Sequence, residues 1–364
     1  MQYFNKNSVI ESIMDKMDNR IDFVILWVDG SDPVWTEEKR KYERLERVDS
    51  HTNVDTNSEC RYRDNGWLRY WFRGVEKFAP WVNQIHFVTC GQKPEWLNVE
   101  HPKLHLVDHK DYIPHQWLPT YNSVTLEMNL HRIKELSEQF VYFNDDMFLL
   151  QPVNPSFFFR QGLPVLDADL SYSRNIGYAH WCRLGFNNYC IVNRTFNIRK
   201  SVKKNWYKWF NIKELGFKRT RKNLMSHWVN RLLPMNTYGH MALPHLKSSL
   251  QDIWDCHPEV MEQATKSRFR SDDGVNQWMI CAWSQAKGLF YPVHYRRLGN
   301  YFSITPESTP RICDMIKNGA TPQICINDCP TNTDAENCGR LITEAFETLL
   351  PEKSEFENEK QSWE

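Results

Sequence analysis

The pattern of apolar and polar positions along the first 150 residues changes repeatedly between two periods. Short apolar runs rich in aromatic and β-branched residues predict strands, and runs with apolar residues three or four positions apart predict helices between them. The predicted strands are 22–28, 85–89, 104–107 and 140–143, and the predicted helices are 66–78 and 123–134. This order predicts an α/β fold built on a parallel or mixed sheet.

Two of the predicted strands end in acidic turns. Asp29-Gly30-Ser31-Asp32-Pro33 follows the first strand and is called here the first acidic turn, and Asn144-Asp145-Asp146 follows the fourth and is called the second acidic turn. Ligands in α/β sheets gather beyond the carboxyl ends of the strands, and carboxylate and amide oxygens suit a divalent cation. Helix capping is the alternative role for either turn.

Charged residues also fall at helical spacing. Arg69 and Arg73, which follow the run Arg61-Tyr62-Arg63-Asp64-Asn65, are four residues apart and could bind phosphate, although a solvated helix face explains such a pair equally well. On the second predicted helix Glu127 and His131 lie one turn apart beside the apolar face, which predicts a surface pair.

Composition sets limits on the function. The chain has 364 residues, which allow one large domain with insertions or two domains, and its 45 basic and 45 acidic residues cancel. This balance argues against a protein that binds polyanions over its whole surface, and nucleic acid has little support. No apolar run approaches the roughly 18 residues of a membrane span, and the N-terminus lacks a signal-peptide core, so the sequence predicts a cytoplasmic protein.

The ten cysteines are spread along the chain. Six are scattered, which predicts reduced and mostly buried thiols. The other four are close together near the C-terminus but lack the paired spacing of a zinc ribbon: Cys313, Cys325, Cys329 and Cys338.

One segment differs from the neutral remainder. Residues 199–222, called here the basic aromatic segment, carry ten Lys or Arg against one Glu, with aromatic residues such as Trp206, Tyr207, Trp209 and Phe210 interleaved. Around it, residues 151–235 predict aromatic and basic loops rather than regular elements. The segment could bind an anionic polymer or a lipid surface, or it could be a solvated basic face.

Two later segments carry further candidate chemistry. The turn-rich run Gly239-His240-Met241-Ala242-Leu243-Pro244-His245 offers two histidines, either of which could serve as a general base near neutral pH. The run 268–277 then brings two arginines and two carboxylates together, which suits phosphate or metal binding.

Taken in order, these blocks resemble the Stealth family, which includes bacterial capsular-polysaccharide phosphotransferases and the eukaryotic GlcNAc-1-phosphotransferase. IDFVILWVDGSDPVW resembles the first block, and the stretch from RYRDNGWLRYWFRGVEKFAPW through FVYFNDDMFL resembles the second. GHMALPHLKSSLQDIWDCHPE with RFRSDDGVNQ is similar to the third, and ICINDC with LLPEKSEFE to the fourth. The resemblance covers most of the chain.

The resemblance implies a glycosyltransferase-A-like, Rossmann-like mixed sheet core with helical and loop insertions. It implies transfer of a hexose- or N-acetylhexosamine-1-phosphate from a UDP-sugar, such as UDP-GlcNAc, to a hydroxyl of an oligo- or polysaccharide. UMP would be released, Mg²⁺ or Mn²⁺ would assist, and the product would enter capsule or cell-surface polysaccharide. A metal-dependent glycosyltransferase that releases UDP, and a non-catalytic polysaccharide- or membrane-binding protein, are the alternatives.

The resemblance also implies roles for individual residues. The catalytic set is His240, Arg270 or Arg268, Asp145 and Asp29, and His245 is the alternative to His240 as the base. The substrate-binding set is Asp32, Arg69, Arg73, Asn122, Asn144, Asp273, Gln277 and Asn327. The metal ligands are Asp145, Asp146 and Asp328.

The expected organisation has four parts. They are an N-terminal amphipathic segment (1–20), a nucleotide-sugar-binding α/β core (21–150), an aromatic and basic insertion (151–235), and the remainder of the catalytic domain with the C-terminal block (236–364). The basic aromatic segment is the expected contact with the inner face of the membrane or with the acceptor.

Overall fold

The structure is a computed structural model. It describes residues 19–46, 62, 65–170, 180–229, 233, 240–327 and 332–358. The predicted N-terminal amphipathic segment lies almost wholly outside the described residues.

A five-stranded sheet forms the centre of the fold, in the order β3-β2-β1-β4-β8. The first four strands by sequence run parallel, and β8 pairs antiparallel with β4. The strands are β1 (Ile21–Leu26), β2 (Ile85–Thr89), β3 (Leu104–Asp108), β4 (Gln139–Phe143) and β8 (Leu243–Leu246). The predicted α/β class with a mixed sheet is therefore confirmed, and the four predicted strands each fall within two residues of their observed bounds.

The central sheet separates two hydrophobic cores. Along β4, Val141 and Phe143 belong to one core, while Phe140 and Tyr142 belong to the other. Alternate residues of a strand point to opposite faces, so a continuous apolar run is what a strand buried on both faces requires. Both cores are extensive enough to hold the strand ends in fixed positions.

Helices cover both faces of this sheet. The first core is packed by α2 (Leu68–Phe78) and α14 (Asn332–Leu349), and α1 (Pro33–Glu46) follows the first acidic turn. The helices between β3 and β4 are short: α3 (His109–Tyr112), a 3₁₀ turn (His115–Trp117), α4 (Ser123–Glu127) and a second 3₁₀ turn (Leu130–Arg132).

The helix predicted over 123–134 is interrupted after Glu127. The side chain of Asn129 donates to the carbonyl of Thr125 at 2.8 Å, which is the acceptor that its own backbone N–H would use in a continuous helix. That N–H turns to Leu126 at 3.3 Å instead. The predicted surface pair of Glu127 and His131 is wrong, since both side chains are buried.

Two smaller sheets complete the strands. The first has the order β10-β11-β5, with β5 (Met147–Leu149) antiparallel to β11 (Gln323–Asn327) and β10 (Asn300–Ser303) parallel to it. The second has the order β6-β7-β9, made of β6 (Phe159–Arg160), β7 (Leu163–Asp167) and β9 (Tyr291–Val293). A short helix α5 (Pro155–Phe158) connects them.

The described part of 151–235 is largely helical, so the prediction of loops there is wrong. The helices are α6 (His180–Thr195), α7 (Ile198–Lys204), α8 (Trp206–Trp209) and α9 (Ile212–Val229), which kinks at Gly216. Residues 180–229 contain no proline, and the helices bury a small number of mainly aliphatic side chains, such as Val192, Ile198 and Leu215, while many of their other apolar residues are exposed.

The remaining helices follow β8. They are α10 (Lys247–Cys256), α11 (Pro258–Thr265), α12 (Trp278–Lys287), the 3₁₀ turn Tyr295–Arg297 and α13 (Thr309–Lys317). The eight cysteines that the structure describes are free thiols. Within the described ranges, no helix combines the length and apolar composition needed to cross a bilayer.

Candidate active site

The second acidic turn connects the central sheet to the β10-β11-β5 sheet. β4 ends at Phe143, and β5 begins directly after the turn, where Met147 pairs with Cys325 of β11. The carbonyl of Asp146 accepts from the backbone N–H of Ile326 at 2.8 Å. Strand pairing therefore brings a residue almost 180 positions away in sequence next to Asp146.

A third segment reaches the same place through β8. Because β8 runs antiparallel to β4, with Leu243 beside Tyr142, the start of β8 lies at the carboxyl end of β4. His240 precedes β8 in the left-handed backbone region with φ 45°. Its ring is a third exposed and lies 5.7 Å from the ring of Tyr301, between centroids.

Asp146, His240 and Cys325 form a compact group, called here the Asp-His-Cys cluster. The Nε2 atom of His240 lies 3.8 Å from Oδ2 of Asp146, and Sγ of Cys325 donates to the same oxygen at 3.4 Å. One potential ligand atom from each residue lies within 4.8 Å of the others. The other carboxylate oxygen of Asp146, Oδ1, is buried and has no hydrogen-bond partner.

The electrostatics of this cluster follow from burial. Cys325 is fully buried, and burial together with the neighbouring Asp146 raises the pKa of its thiol well above the ordinary value. Asp145, by contrast, has an exposed side chain. The cluster thus has a closed side formed by the thiol and an open side formed by His240 and the carboxylates.

Glu127, which the sequence predicts to lie on the surface, is a buried carboxylate behind the second acidic turn. The hydroxyl of Tyr142 lies within hydrogen-bond distance of two acceptors, Oε1 of Glu127 at 3.2 Å and Oδ1 of Asn144 at 2.6 Å. Burial raises the pKa of Glu127, and the nearby guanidinium of Arg270 opposes that shift. Its one sequence signal was its position at the end of the helix that precedes β4.

The structure separates the two candidate arginines. Arg268 is held by Glu46 and by the carbonyl of Pro119 at 2.7 Å, and it lies over the ring of Tyr42 at 4.3 Å. Arg270 instead donates to Ser123 Oγ at 3.1 Å and faces Glu127. Of the two, Arg270 is linked through Glu127 and Tyr142 to the second acidic turn.

The two candidate histidines also differ. His245 lies inside β8, fully buried, with its ring 5.5 Å from that of Phe140 and its Nδ1 4.0 Å from Sγ of Cys281. Burial lowers the pKa of His245 to about 3. His245 is therefore a neutral core residue, and His240 is the histidine at the sheet edge.

The first acidic turn leaves the same edge of the sheet, since Ile25 pairs with Phe143. Oδ1 of Asp29 accepts from the N–H and hydroxyl of Ser31 at 2.8 and 2.6 Å, and Oδ1 of Asp32 accepts from the N–H of Val34 at 2.8 Å. Gln92, which the sequence did not indicate, accepts from the backbone N–H of Asp29 and donates to the carbonyl of the same residue. It also donates to Oδ2 of Asp32 at 2.9 Å. That last bond is the main cause of the lowered pKa of Asp32.

Gly30 is required inside this turn. Its N–H donates to the carbonyl of Tyr62 at 2.9 Å, and a Cβ at this position would lie 2.1 Å from that oxygen. The turn is therefore a tightly bonded unit.

Other predicted substrate-binding residues have structural partners. Arg73 is buried and bonds Glu357 at 2.6 and 2.8 Å and the carbonyl of Leu350 at 2.9 Å. Arg69 lies over the ring of Trp96 at 5.5 Å. Asn122 caps α4 by accepting from Val124 at 3.1 Å. These contacts hold the α2 and α4 regions in place and do not include the second acidic turn.

The last group lies closer to the cluster or outside the described residues. Gln277 is buried, and its backbone N–H bonds Glu127, while Asp273 is exposed. Asn327 ends β11, two residues after Cys325. Asp328 lies outside the described residues.

Comparisons with known proteins match two family models in the first 165 residues and full-length relatives over most of the chain. The family model described as Stealth protein CR1, conserved region 1, matches residues 19–46, and Stealth protein CR2, conserved region 2, matches residues 61–165. Capsular polysaccharide phosphotransferase WcwK of Streptococcus pneumoniae is 40% identical over 94% of this chain and 100% of its own length. Receptor polysaccharide phosphotransferase WefC of Streptococcus gordonii is 38% identical over 94% and 100%.

Two further similarities are more distant. Exopolysaccharide phosphotransferase cps2G of Lactiplantibacillus plantarum is 33% identical over 93% of this chain and 96% of its own length. Among solved structures, the galactosyltransferase LgtC in complex with donor and acceptor sugar analogs matches 92% of this chain and 98% of its own with a TM-score of 0.37 and 11% identity. A structural similarity of that size supports no further argument.

Proposed function

The chain belongs to the Stealth family, and from this premise we propose that it is a polysaccharide phosphotransferase. It transfers a hexose- or N-acetylhexosamine-1-phosphate from a UDP-sugar to a sugar hydroxyl, releases UMP, and contributes to capsule or cell-surface polysaccharide. Full-length similarity to relatives named as polysaccharide phosphotransferases supports the class of reaction. The observation that carries the site is the meeting of His240 with the second acidic turn at the carboxyl edge of the sheet.

In this proposal His240 is the general base. The acceptor hydroxyl attacks the β-phosphorus, its proton passes to His240, and the bond from phosphorus to the bridging oxygen of UMP breaks. Asp146 Oδ2 lies 3.8 Å from Nε2, so the proposed base lies directly beside the second acidic turn. The partly exposed ring leaves room for an acceptor to approach.

Arg270 is the proposed neutralising cation. Glu127 faces it from the buried side, so the carboxylate positions the guanidinium rather than touching the substrate. Phosphoryl transfer depends mainly on positioning and on charge neutralisation, and a guanidinium can bind two phosphate oxygens at once. We place the donor diphosphate between this arginine and the second acidic turn.

The residues of the second acidic turn fit a divalent cation. Asp146 Oδ1 is a buried carboxylate oxygen that lacks a partner, and Asp145 beside it is exposed. Mg²⁺ or Mn²⁺ held by these carboxylates would neutralise charge on the diphosphate and on the leaving UMP. A glycosyltransferase-A-like core is part of the same proposal, supported by the mixed sheet with acidic side chains at its edge.

The test is identification of the nucleotide that is released. The protein is incubated with UDP-GlcNAc and a panel of other nucleotide sugars, Mg²⁺ and capsule-type oligosaccharides, and nucleotides are separated chromatographically. Acceptor-dependent UMP with a phosphodiester-linked product supports the proposal. Acceptor-dependent UDP would instead identify a glycosyltransferase, and metal-dependent donor binding without turnover by any acceptor would favour a binding protein.

A second part of the proposal concerns where the enzyme works. Many large apolar side chains on α6 to α9 are exposed, up to 82% for Trp228 and Val229 and 61% for Trp206. Eight of the ten basic residues of the basic aromatic segment are also exposed, whereas Lys208 and Arg219 are buried in bonds to Gly288 and Asp167. Exposed aromatic residues among exposed cations suit an anionic lipid surface.

Vesicle cosedimentation tests this contact. Replacing Lys203, Lys204, Lys218 and Lys222 by Gln should weaken binding to vesicles that contain anionic lipid, since each cation near such a surface contributes about 1 kcal/mol. A control carries Gln at four exposed lysines elsewhere, namely Lys93, Lys266, Lys317 and Lys353. Equal loss in both variants, or none in either, would reject this contact.

A further inference from the structure

The Asp-His-Cys cluster has the donor set of a transition-metal site. It offers one carboxylate oxygen, one imidazole nitrogen and one sulfur, each of which is a ligand type that zinc binds, and zinc sites with three protein ligands keep an open fourth position. Mg²⁺ prefers oxygen donors in octahedral geometry, so sulfur and imidazole contribute little to its binding. The thiol of Cys325 is therefore not expected to be a ligand of the proposed Mg²⁺ or Mn²⁺ ion.

The distances agree with a preformed site. With metal bonds of about 2.0–2.1 Å to N and O and about 2.3 Å to S, the ligand atoms of a tetrahedral zinc ion lie roughly 3.3–3.6 Å apart. In the cluster the distances are 3.4 Å from sulfur to Asp146 Oδ2 and 3.8 Å from Nε2 to the same oxygen, and the three ligand atoms all lie within 4.8 Å of one another. Small side-chain movements would bring all three atoms to ligating positions.

From this geometry we propose that Asp146, His240 and Cys325 form a binding site for Zn²⁺, in which the fourth position is open to water or to a phosphate oxygen. Three segments distant in sequence supply the ligands, and strand pairing fixes two of them: Asp146 and Cys325 lie on the paired strands β5 and β11 or directly beside them. A site assembled by strand pairing needs little further ordering when the ion enters.

The surroundings suit an ion that enters from the open side. Cys325 is fully buried, whereas His240 and Asp146 are partly exposed, at 33% and 20% of their side chains. A buried thiol is protonated in the absence of metal, and zinc displaces that proton, so binding releases one proton to solvent.

A bound zinc ion has a consequence that depends on the proposed function. Nε2 of His240 could not accept a proton while it coordinates the metal, and Asp146 could not hold Mg²⁺ in the same way. Zinc is therefore expected to inhibit transfer reversibly, with recovery after addition of a chelator. The binding itself does not depend on which reaction the enzyme performs.

Binding is measured on the whole chain with zinc as the probe. Zinc is titrated against a chromogenic chelator in the presence of excess Mg²⁺, and Co²⁺ is added separately to detect the near-ultraviolet absorption of a thiolate-bound cobalt ion. Wild type should bind one equivalent through this site and show the thiolate band. Cys325→Ser should weaken zinc binding by at least about 10- to 100-fold, the loss seen when even an outer partner of a zinc ligand is removed.

Two further variants separate ligation from folding. Cys313→Ser changes another buried cysteine, which lies on α13 away from the cluster, and should keep both the zinc affinity and the cobalt band. His240→Ala alters a partly exposed side chain and should weaken zinc binding while it leaves the thermal transition near that of wild type. If Cys325→Ser is unfolded, the His240→Ala result alone decides the proposal.

Equal zinc affinity in wild type and His240→Ala, or a cobalt spectrum without a thiolate band, would overturn the site. The activity measurement separates the two proposals. Zinc binding through the three residues without inhibition would leave the metal site standing and reject His240 as the base. Inhibition that persists in Cys325→Ser would place the inhibitory ion elsewhere.

Discussion

The two acidic turns leave the same edge of the central sheet, but their carboxylates are satisfied to different degrees. In the first, Asp29 and Asp32 accept bonds from Ser31, Val34 and Gln92, so the turn is closed by its own partners. In the second, Asp146 keeps a buried oxygen without a partner, and Asp145 has an exposed side chain. The first therefore has the character of a rigid structural turn, and the second that of a ligand site.

This difference shows that position at the carboxyl edge is not enough to assign a function. An unpartnered buried carboxylate oxygen costs free energy that folding of the chain alone does not recover, whereas a bound cation would recover it. If Asp29 and Asp32 bind the donor, they therefore do so while they keep their hydrogen bonds within the first acidic turn.

The largest effect is expected for the histidine beside the second turn. His240→Ala should lower kcat by roughly 10²–10⁴-fold, the usual contribution of a general base, and should leave donor affinity nearly unchanged. Steady-state rates and calorimetric titration with the nucleotide sugar measure the two quantities. His257→Ala, at the N-cap position of α11, is the control. Equal turnover in the two variants would remove His240 from the mechanism.

Asp146→Asn should separate activity from stability. We expect the apparent affinity for Mg²⁺ or Mn²⁺ to fall by at least about 10- to 100-fold. The free energy of unfolding should stay constant or rise by about 1 kcal/mol, since a neutral amide is less costly to bury than a carboxylate with an unpartnered oxygen. Activity against metal concentration and urea unfolding test both parts. A clear loss of stability would mean that the carboxylate is structural, as in the first turn.

The fold could be predicted from the sequence where periodicity is local. The four strands of the parallel part show as apolar runs because both faces of the sheet are covered. The break after Glu127 could not be read in the same way, since it depends on one side chain, Asn129, taking a backbone acceptor. The helices of 180–229 were missed because many of their apolar residues are exposed, so apolar positions in the sequence do not mark one buried face.

The site was predictable only in part. The acidic turns, His240 and Arg270 were marked by local chemistry and by resemblance to a family. Cys325 was interpreted as one of a group of C-terminal cysteines, because nothing in the sequence reveals that β11 pairs with the strand after Asp146. The prediction that Glu127 lies on the surface was wrong for a related reason: Tyr142 and Arg270 surround its carboxylate only in the folded chain.

The second histidine of the same run provides a pH-dependent contrast. Burial lowers the pKa of His245 to about 3, whereas the pKa of an ordinary histidine is 6.5. Between these two pH values the histidine is protonated in the unfolded chain and neutral in the folded chain. Stability is therefore lost as pH falls from 6.5 towards 3, by about 2 kcal/mol at pH 5 for this residue. His245→Leu should reduce that loss, measured as the difference in urea unfolding between pH 7.5 and pH 5. An unchanged difference would assign the acid sensitivity to other groups.

The smallest effect is expected at the first turn, where Gln92→Ala removes the side chain that joins it to the end of β2. The side-chain amide accepts from the backbone N–H of Asp29 and donates to the carbonyl of Asp29 and to Oδ2 of Asp32. Because a hydrogen bond contributes about 1 kcal/mol net, the free energy of unfolding should fall by about 1–2 kcal/mol. Gln251→Ala, which removes an exposed bond to Asp255, is the matched control and should change stability less. If the first turn binds the donor only as a rigid unit, KM for the nucleotide sugar rises in Gln92→Ala while kcat at saturation is kept. A fall in kcat with unchanged KM would instead place the first turn beside the transferring phosphate and erase the distinction between the two turns.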